Sequence, residues 1–360
     1  MGALSVNTSQ QRGIRIVLIA ASILFFFTLA FHSFGSEETK SYLESKKDDW
    51  LPSSKSSIKA RLEQSERYYQ ETISERRWLM SQYTTKEHTL FPCKDPAMYG
   101  KMPFSVWDFL PAAFNCPHST RRIGRLGDGG KWICGAETLA KLPATRPGPL
   151  RKDLHLRTSG KSPVARVQAG CVIYSFGVRD ESSFEVEMLK KFQNCQVWGY
   201  DFSVDGFGPQ MDPAESYERA HFAKIGIGGT TDLTRSPPFV SVQDLMANNG
   251  HDHIDILKID IEGYEFQTFT SLLNYYISRG EQVPVAQIVV EVHLFEKQGE
   301  HPGNVDVMLE WWELFESAGF RPVWTEPNLL VSIMHLEDGM PRYSEYTFIN
   351  TRDDKSSLLR

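Results

Sequence analysis

Three ionisable side chains alternate where an apolar run ends, in Ile254-Asp255-Ile256-Leu257-Lys258-Ile259-Asp260-Ile261-Glu262-Gly263. Alternate residues of an extended chain share a face, which groups Lys258, Asp260 and Glu262. Unpaired buried charge is costly. Either the lysine and an acid satisfy each other and close the strand, or the group is kept for chemistry. A second run, Ala286–Leu294, places Glu291 and His293 two residues apart. A lone histidine is often a satisfied core residue. Here it ends a strand expected beside that of Asp260, and its ordinary pKa suits proton abstraction near neutrality. Asp260, Glu262 and His293 are therefore the candidate catalytic residues, with His293 or Asp260 as the base. The same three side chains are also a candidate set for a divalent cation that lowers the pKa of a hydroxyl. Residue types alone do not choose between the two.

A second constellation lies upstream, in Tyr174-Ser175-Phe176-Gly177-Val178-Arg179-Asp180-Glu181. Gly177 lets the chain turn sharply and lets a ligand approach the backbone, although a plain strand-to-helix turn uses glycine too. Arg179 breaks the GxGxxG pattern, which disfavours a pyrophosphate cradle. Asp201 ends the next apolar run, 24 residues after Gly177, where an acidic side chain accepts hydrogen bonds from ribose hydroxyls. A glycine turn, an acidic second-strand end and no phosphate loop together favour a nucleoside ligand without a diphosphate. S-adenosylmethionine is such a ligand.

These residues need a scaffold that brings strand ends together. Apolar, strand-like runs occur at Cys171–Phe176, Gln196–Phe202, Phe222–Ile225, Ile254–Ile259 and Ala286–Leu294. Helical patterns at Ser182–Gln193, Val242–Asn248 and Gly263–Arg279 separate several of them. Short, nearly continuous apolar runs alternating with helices imply a parallel sheet covered on both faces. A further amphipathic helix, Asp306–Ala318, ends at Gly319 in the C′ position. Phe320–Trp324 and Tyr346–Asn350 follow as a closing pair of strands. In an open α/β sheet, ligands bind outside the carboxyl ends of the strands.

The remainder sets the address. Ile16–Phe34 runs 19 residues without Asp, Glu, Lys or Arg, about 28 Å as a helix and close to the hydrocarbon thickness of a bilayer. Arg12 and Arg15 precede it and Glu37 and Glu38 follow, so residues 1–15 are expected in the cytoplasm and the long C-terminal part in the lumen. This is the layout of a single-pass type II signal anchor in the Golgi or endoplasmic reticulum. A cleaved signal peptide is the alternative, although the run exceeds the usual apolar length. Asn7-Thr8-Ser9, the one glycosylation sequon, falls on the cytoplasmic side. Residues 35–90 are polar and partly helical, a stem, and residues 91–352 form the catalytic domain. Within it, 143–168 is a Pro-, Gly- and Arg-rich segment expected as an exposed loop insertion. The composition is 41% hydrophobic, 12% aromatic and 23% charged, which excludes wholesale disorder and a polytopic membrane protein. With 39 basic residues, 45 acidic residues and a net charge of −6, no dominant basic surface for nucleic acid is expected.

The segments YSFGVRDESSFE, VWGYDFS, LKIDIEGYE and VVEVHLF resemble the FkbM-like class of S-adenosylmethionine-dependent methyltransferases, notably membrane-anchored members of the secretory pathway. Arg122–Cys134, with its GDGGKW core, is similar to a block upstream of the first strand in those proteins. The resemblance spans roughly residues 91–350. It implies a Rossmann-like class I sheet of seven strands ending in an antiparallel pair. It also implies S-adenosylmethionine as cofactor, with Gly177 and Asp201 binding it and Asp260 beside its methionine end. Glu262 and His293 are then near the acceptor, and Asp128, Gly129 and Lys131 cap the pocket. Ser175, Asp180 and Gly226 complete the candidate cofactor-binding set. Arg179 departs from the small residue often found at its place. The expected reaction is O-methylation of a glycan or other secretory-pathway acceptor.

A Golgi-type glycosyltransferase shares the anchor, stem and domain layout, and Asp260-x-Glu262 superficially offers it a metal-binding acidic pair. A tethered binding module without activity is a third class. Cys171 lies six residues before Gly177, and Cys195 six before Asp201. Adjacent parallel strands with level ends would set these sulfurs side by side, giving a disulfide if the Cα atoms approach within about 7 Å, or otherwise two buried thiols. Cys93, Cys116 and Cys134 leave one odd thiol without an assignable partner.

Overall fold

The computed structural model describes residues 57–83, 103–147, 167–212, 218–294, 305–334 and 341–360. The apolar run at 16–34 lies outside them. Among the described residues no helix is long and apolar enough to cross a membrane.

Among the described residues the first element is helix α1 (Ile58–Tyr83), rich in the straight-chain residues that lose little freedom in a helix. It is not a free spacer. Tyr69 and Ile73 are buried. The Tyr69 hydroxyl donates to Glu316 Oε1 (2.6 Å), and Arg76 Nη2 pairs with Glu316 Oε2 (2.6 Å). Arg321 grips Glu66 through two bonds of 2.8 Å. Ile58–Arg360 consequently form one compact unit, and this part of the expected stem belongs to the folded domain. Its weak apolar periodicity has a physical reason, because much of the attachment is by ion pairs and a tyrosine hydroxyl.

A hairpin follows, β1 (Thr120–Ile123) antiparallel to β2 (Lys131–Cys134), then the short α2 (Ala136–Leu139). The ends of the basic insertion, β3 (Thr145–Pro147) and β4 (Val167–Ala169), pair antiparallel; residues 148–166 between them lie outside the described residues.

The alternating part begins with β5 (Cys171–Phe176), α3 (Ser183–Lys191), β6 (Cys195–Tyr200) and β7 (Ala220–Ala223). Two short strands, β8 (Gly226–Ile227) and β9 (Phe239–Val240), pair beside it. Next come α4 (Val242–Asn249), β10 (Ile254–Ile259), α5 (Glu265–Ile277) and β11 (Val285–His293). The chain closes with α6 (Val305–Ser317), β12 (Phe320–Pro327), α7 (Leu329–Met334) and β13 (Tyr343–Asn350). Seven strands form one sheet in the order β12-β13-β11-β10-β5-β6-β7. The five from β5 to β11 in this sheet run parallel, β13 is antiparallel to β11, and β12 is antiparallel to β13. The order reverses between β5 and β10, which is where such sheets bind ligands. The third expected run is displaced: β7 ends at Ala223, and Gly226 belongs to β8, outside the main sheet.

Every residue of β5, β10 and β11 is buried, as a sheet covered on both faces requires. One face packs under Phe269, Trp312 and Phe315, which meet Tyr346 and Phe348. The other packs under Phe184, Met188, Ile123 and Ile133. Cys171 and Cys195, the first residues of β5 and β6, are joined by a disulfide with Cα atoms 4.3 Å apart. A second disulfide joins Cys116 to Cys134, Cα atoms 5.8 Å apart. Cys93 lies outside the described residues.

Candidate active site

The carboxyl ends of β5, β6, β10 and β11 open into a cavity of about 670 Å³, within the ordinary range for small-molecule sites. Gly177 sits on its floor with φ +73°. A Cβ there would overlap the Asp260 carbonyl oxygen, so no side chain fits while the tips of β5 and β10 stay together. Asp260 N donates to Phe176 O (3.1 Å), and Gly177 N to Tyr200 O (3.0 Å). The glycine is thus demanded by packing even before a ligand is considered.

Arg179 takes φ +49°, a conformation that costs a non-glycine residue energy. Asp201 holds it there, accepting from Arg179 N at 2.8 Å. The other Asp201 oxygen accepts from Ser203 N (2.7 Å) and Ser203 Oγ (2.6 Å). Asp201 therefore organises the two loops that flank the cavity while lining it. Ile225, Ile227, Phe239 and Tyr264 form an apolar wall beside Gly226, and Asp180 lies on the rim.

Two expected site residues lie elsewhere. Ser175 is fully buried beneath the cavity, where its hydroxyl donates to Glu185. Its strand position points it to the sheet face covered by α3, so it supports Lys258, which lies 3.2 Å from Glu185 and does line the cavity. Lys131 is the larger correction. Asp128 and Gly129 of the β1–β2 loop border the cavity. Lys131, by contrast, turns inward with a side chain only 1% exposed and pairs with Asp260 Oδ2 (3.3 Å), Glu291 Oε2 (3.7 Å) and Glu345. It caps nothing; it neutralises a buried group of carboxylates.

Those carboxylates titrate in opposite directions. Burial alone would raise Asp260, but the Lys131, His293 and Lys258 cations overcome it and hold its pKa well below the ordinary range. Burial pushes Glu291 up, reinforced by the charges of Asp260 and Glu345, and Glu345 is also raised by burial. Glu291 Oε1 accepts from Asn328 Nδ2 at 2.8 Å. His293 is buried at the end of β11. Its Nδ1 faces Glu265 Oε1 at 2.8 Å, and its Nε2 lies 3.6 Å from Asp260 Oδ1 and 3.8 Å from Glu262 Oε2. Burial disfavours the imidazolium, yet Glu265, Glu291 and Asp260 push the pKa up to about 10. At neutral pH the site therefore holds an imidazolium and an ionised Asp260.

Glu262 does not continue the strand. It turns with φ +55° and its side chain is 60% exposed at the rim, because β10 ends at Ile259. The acid, acid and imidazole atoms that come within 4.8 Å of one another are those of Asp260, Glu291 and His293, rather than the set with Glu262. Sequence reasoning missed Glu265, Glu345, Asn328 and Glu185. The one signal for the glutamates was a charged residue inside an otherwise apolar strand or helix start.

Strand order and the switch point define a Rossmann-like α/β fold with a cavity at the carboxyl ends of its strands. The family described as methyltransferase domain matches residues 60–339. The chain belongs to this family and is an S-adenosylmethionine-dependent methyltransferase. Solved structures similar to it include the Methanococcus jannaschii fibrillarin pre-rRNA processing protein, 12% identical, with TM-score 0.31, covering 64% of this chain and 82% of that one. A putative rRNA methylase from Clostridium thermocellum is 8% identical, with TM-score 0.30, covering 51% and 87%. The O-methyltransferase segment of StiE is 13% identical, with TM-score 0.29, covering 52% and 71%. No curated protein matches the chain in sequence.

Proposed function

We propose that this enzyme O-methylates a hydroxyl of a glycan or other small acceptor of the secretory pathway. The observation that carries the reading is one cavity shared by Gly177, Asp180, Asp201, Gly226, Asp260, Glu262 and His293. The donor set suits S-adenosylmethionine. Gly177 exposes bare backbone, Asp201 offers carboxylate oxygens to ribose hydroxyls, and the Ile225, Ile227, Phe239 and Tyr264 wall suits a flat base. When bound, this cofactor supplies an activated methyl on a sulfonium.

The chain's own residues must orient the acceptor and take its proton. Orientation supplies several kcal/mol of barrier reduction, and a positioned base about 10²–10⁴-fold in rate. Asp260 is ionised but, with its depressed pKa, a weak base. His293 becomes a base only after losing one of its two protons. Positive charge placed beside Asp260 opposes the imidazolium and lowers its pKa, so we assign His293 as base, Asp260 as charge partner and Glu262 to the acceptor side. A sugar-nucleotide transferase would need Asp260 and Glu262 on one metal; Asp260 instead faces Lys131, and Glu262 turns to the rim.

The compartment follows from the run at 16–34 read as a signal anchor, giving a type II membrane protein with a lumenal domain. Two disulfides support an oxidising compartment, and a net charge of −6 argues against nucleic acid as acceptor. Thermal-shift titration tests the assignment. S-adenosylhomocysteine should raise the melting temperature, and UDP or GDP with manganese should not; the reverse pattern ends this reading. Labelled methyl transfer into lumenal extracts then identifies the acceptor, and wild-type rates in both Asp260→Ala and His293→Ala would remove those residues from the mechanism.

A further inference from the structure

We propose that Lys131 is a built-in cation standing where a divalent metal would otherwise be held, so that methyl transfer here is metal-independent. Asp260, Glu291 and His293 present two carboxylate oxygens and an imidazole nitrogen within 4.8 Å of one another, a donor set that suits a first-row divalent ion. The Lys131 ammonium is already among them, 3.3 Å from Asp260 Oδ2 and 3.7 Å from Glu291 Oε2, and also bonded to Glu345. Both oxygens lie within ion-pair distance of Nζ, which already occupies the space beside them. The ammonium donates to Asp260 and Glu345 and lies within ion-pair distance of Glu291.

The lysine has no way out. Its side chain is 1% exposed. The next residue, Trp132, accepts at its carbonyl from Thr347 Oγ1 of β13 at 2.6 Å. Cys134 exchanges bonds of 2.8 and 3.1 Å with the Gln287 amide of β11 and is tied to Cys116. Before it, Gly130 passes so close to the Arg125 carbonyl that no Cβ would fit. The strand that carries the ammonium is therefore fixed to the two strands that carry Glu291 and Glu345. A dication added to this group would meet a like charge that cannot move aside, and that repulsion is what keeps it out. His293 is engaged in the same way, with Glu265 on one ring nitrogen and Asp260 near the other.

The inference rests on the methyl-transfer reading for its purpose, but its test reads metal binding directly. The free Mn²⁺ signal in electron paramagnetic resonance is followed as full-length protein is titrated, wild type against Lys131→Ala. Wild type should show no saturable site that Asp260→Asn removes. Lys131→Ala should gain one saturable Mn²⁺ site, and Lys131→Ala/Asp260→Asn should lose it. An Asp260-dependent Mn²⁺ site in the wild type overturns the proposal, as does a folded Lys131→Ala that gains none. Should Lys131→Ala not fold, the wild-type titration still decides. In a parallel arm, the melting shift given by S-adenosylhomocysteine should be the same with EDTA as with Mn²⁺. A shift that requires Mn²⁺ overturns the proposal, whereas the absence of any shift would count against the methyltransferase assignment alone.

Discussion

Replacing His293 with glutamine reports on the charge state of the site. In the wild type, His293 lies 2.8 Å from Glu265 and 3.6 Å from Asp260, and its pKa stands at about 10 against the ordinary 6.5. A folded-state pKa raised above the unfolded one stabilises the protein fully below about pH 6.5, and that contribution is lost as the pH climbs through about 10. Each unit is worth about 1.4 kcal/mol. At about pH 8 the imidazolium thus contributes at most about 3 kcal/mol, and by about pH 10 nearly all of it has gone. Urea unfolding of wild type and His293→Gln across this range measures the difference. The wild-type advantage should shrink by about 2 kcal/mol between about pH 8 and pH 10, while the imidazole resonances of His293 titrate far above neutrality. Parallel stability curves, with His293 titrating near its ordinary value, would refute the reasoning and restore a neutral resting histidine.

Gly177→Ala should separate the tips of β5 and β10, costing more than about 1 kcal/mol and abolishing the melting shift given by S-adenosylhomocysteine; an unchanged shift in calorimetry contradicts the packing argument. Cys171→Ser/Cys195→Ser opens a loop with a sequence separation of 24 and should lower unfolding free energy by about 3 kcal/mol in denaturant titrations. Glu316→Gln strips the charge partner from the buried Arg76 and should cost about 3–5 kcal/mol, measured the same way, with α1 becoming the segment quickest to exchange amide hydrogens.

How much of this was readable in advance depended on how far each signal reaches along the chain. The parallel sheet was legible because Cys171–Phe176, Ile254–Ile259 and Ala286–Leu294 are continuous apolar runs, and burial on both faces leaves that pattern whatever the surroundings. Asp260 and His293 were legible as polar residues at the ends of such runs. Lys131 was recognised as part of a block, but its inward turn was not, because only the tertiary arrangement places Glu345 and Glu291 around it. Glu265 was hidden in a helix start, where an acid is ordinary. Glu262 was misassigned to the strand face because period-2 reasoning assumes that the strand continues, and here it stops at Ile259. Helix α1 was placed outside the domain since Arg76 and Glu66 look like solvent-facing residues until Glu316 and Arg321, some 240–255 positions away, are brought to them.

The hairpin β1–β2 contributes no strand to the seven-stranded sheet, yet it delivers the lysine that offsets the buried carboxylates of Asp260, Glu291 and Glu345. The hairpin is packed into the sheet through Ile123 and Ile133, so the charge it supplies is held by the same core that holds the strands. Any change in β2 would therefore be felt by β11 and β13 as well, through the bonds of Cys134 to Gln287 and of Trp132 to Thr347.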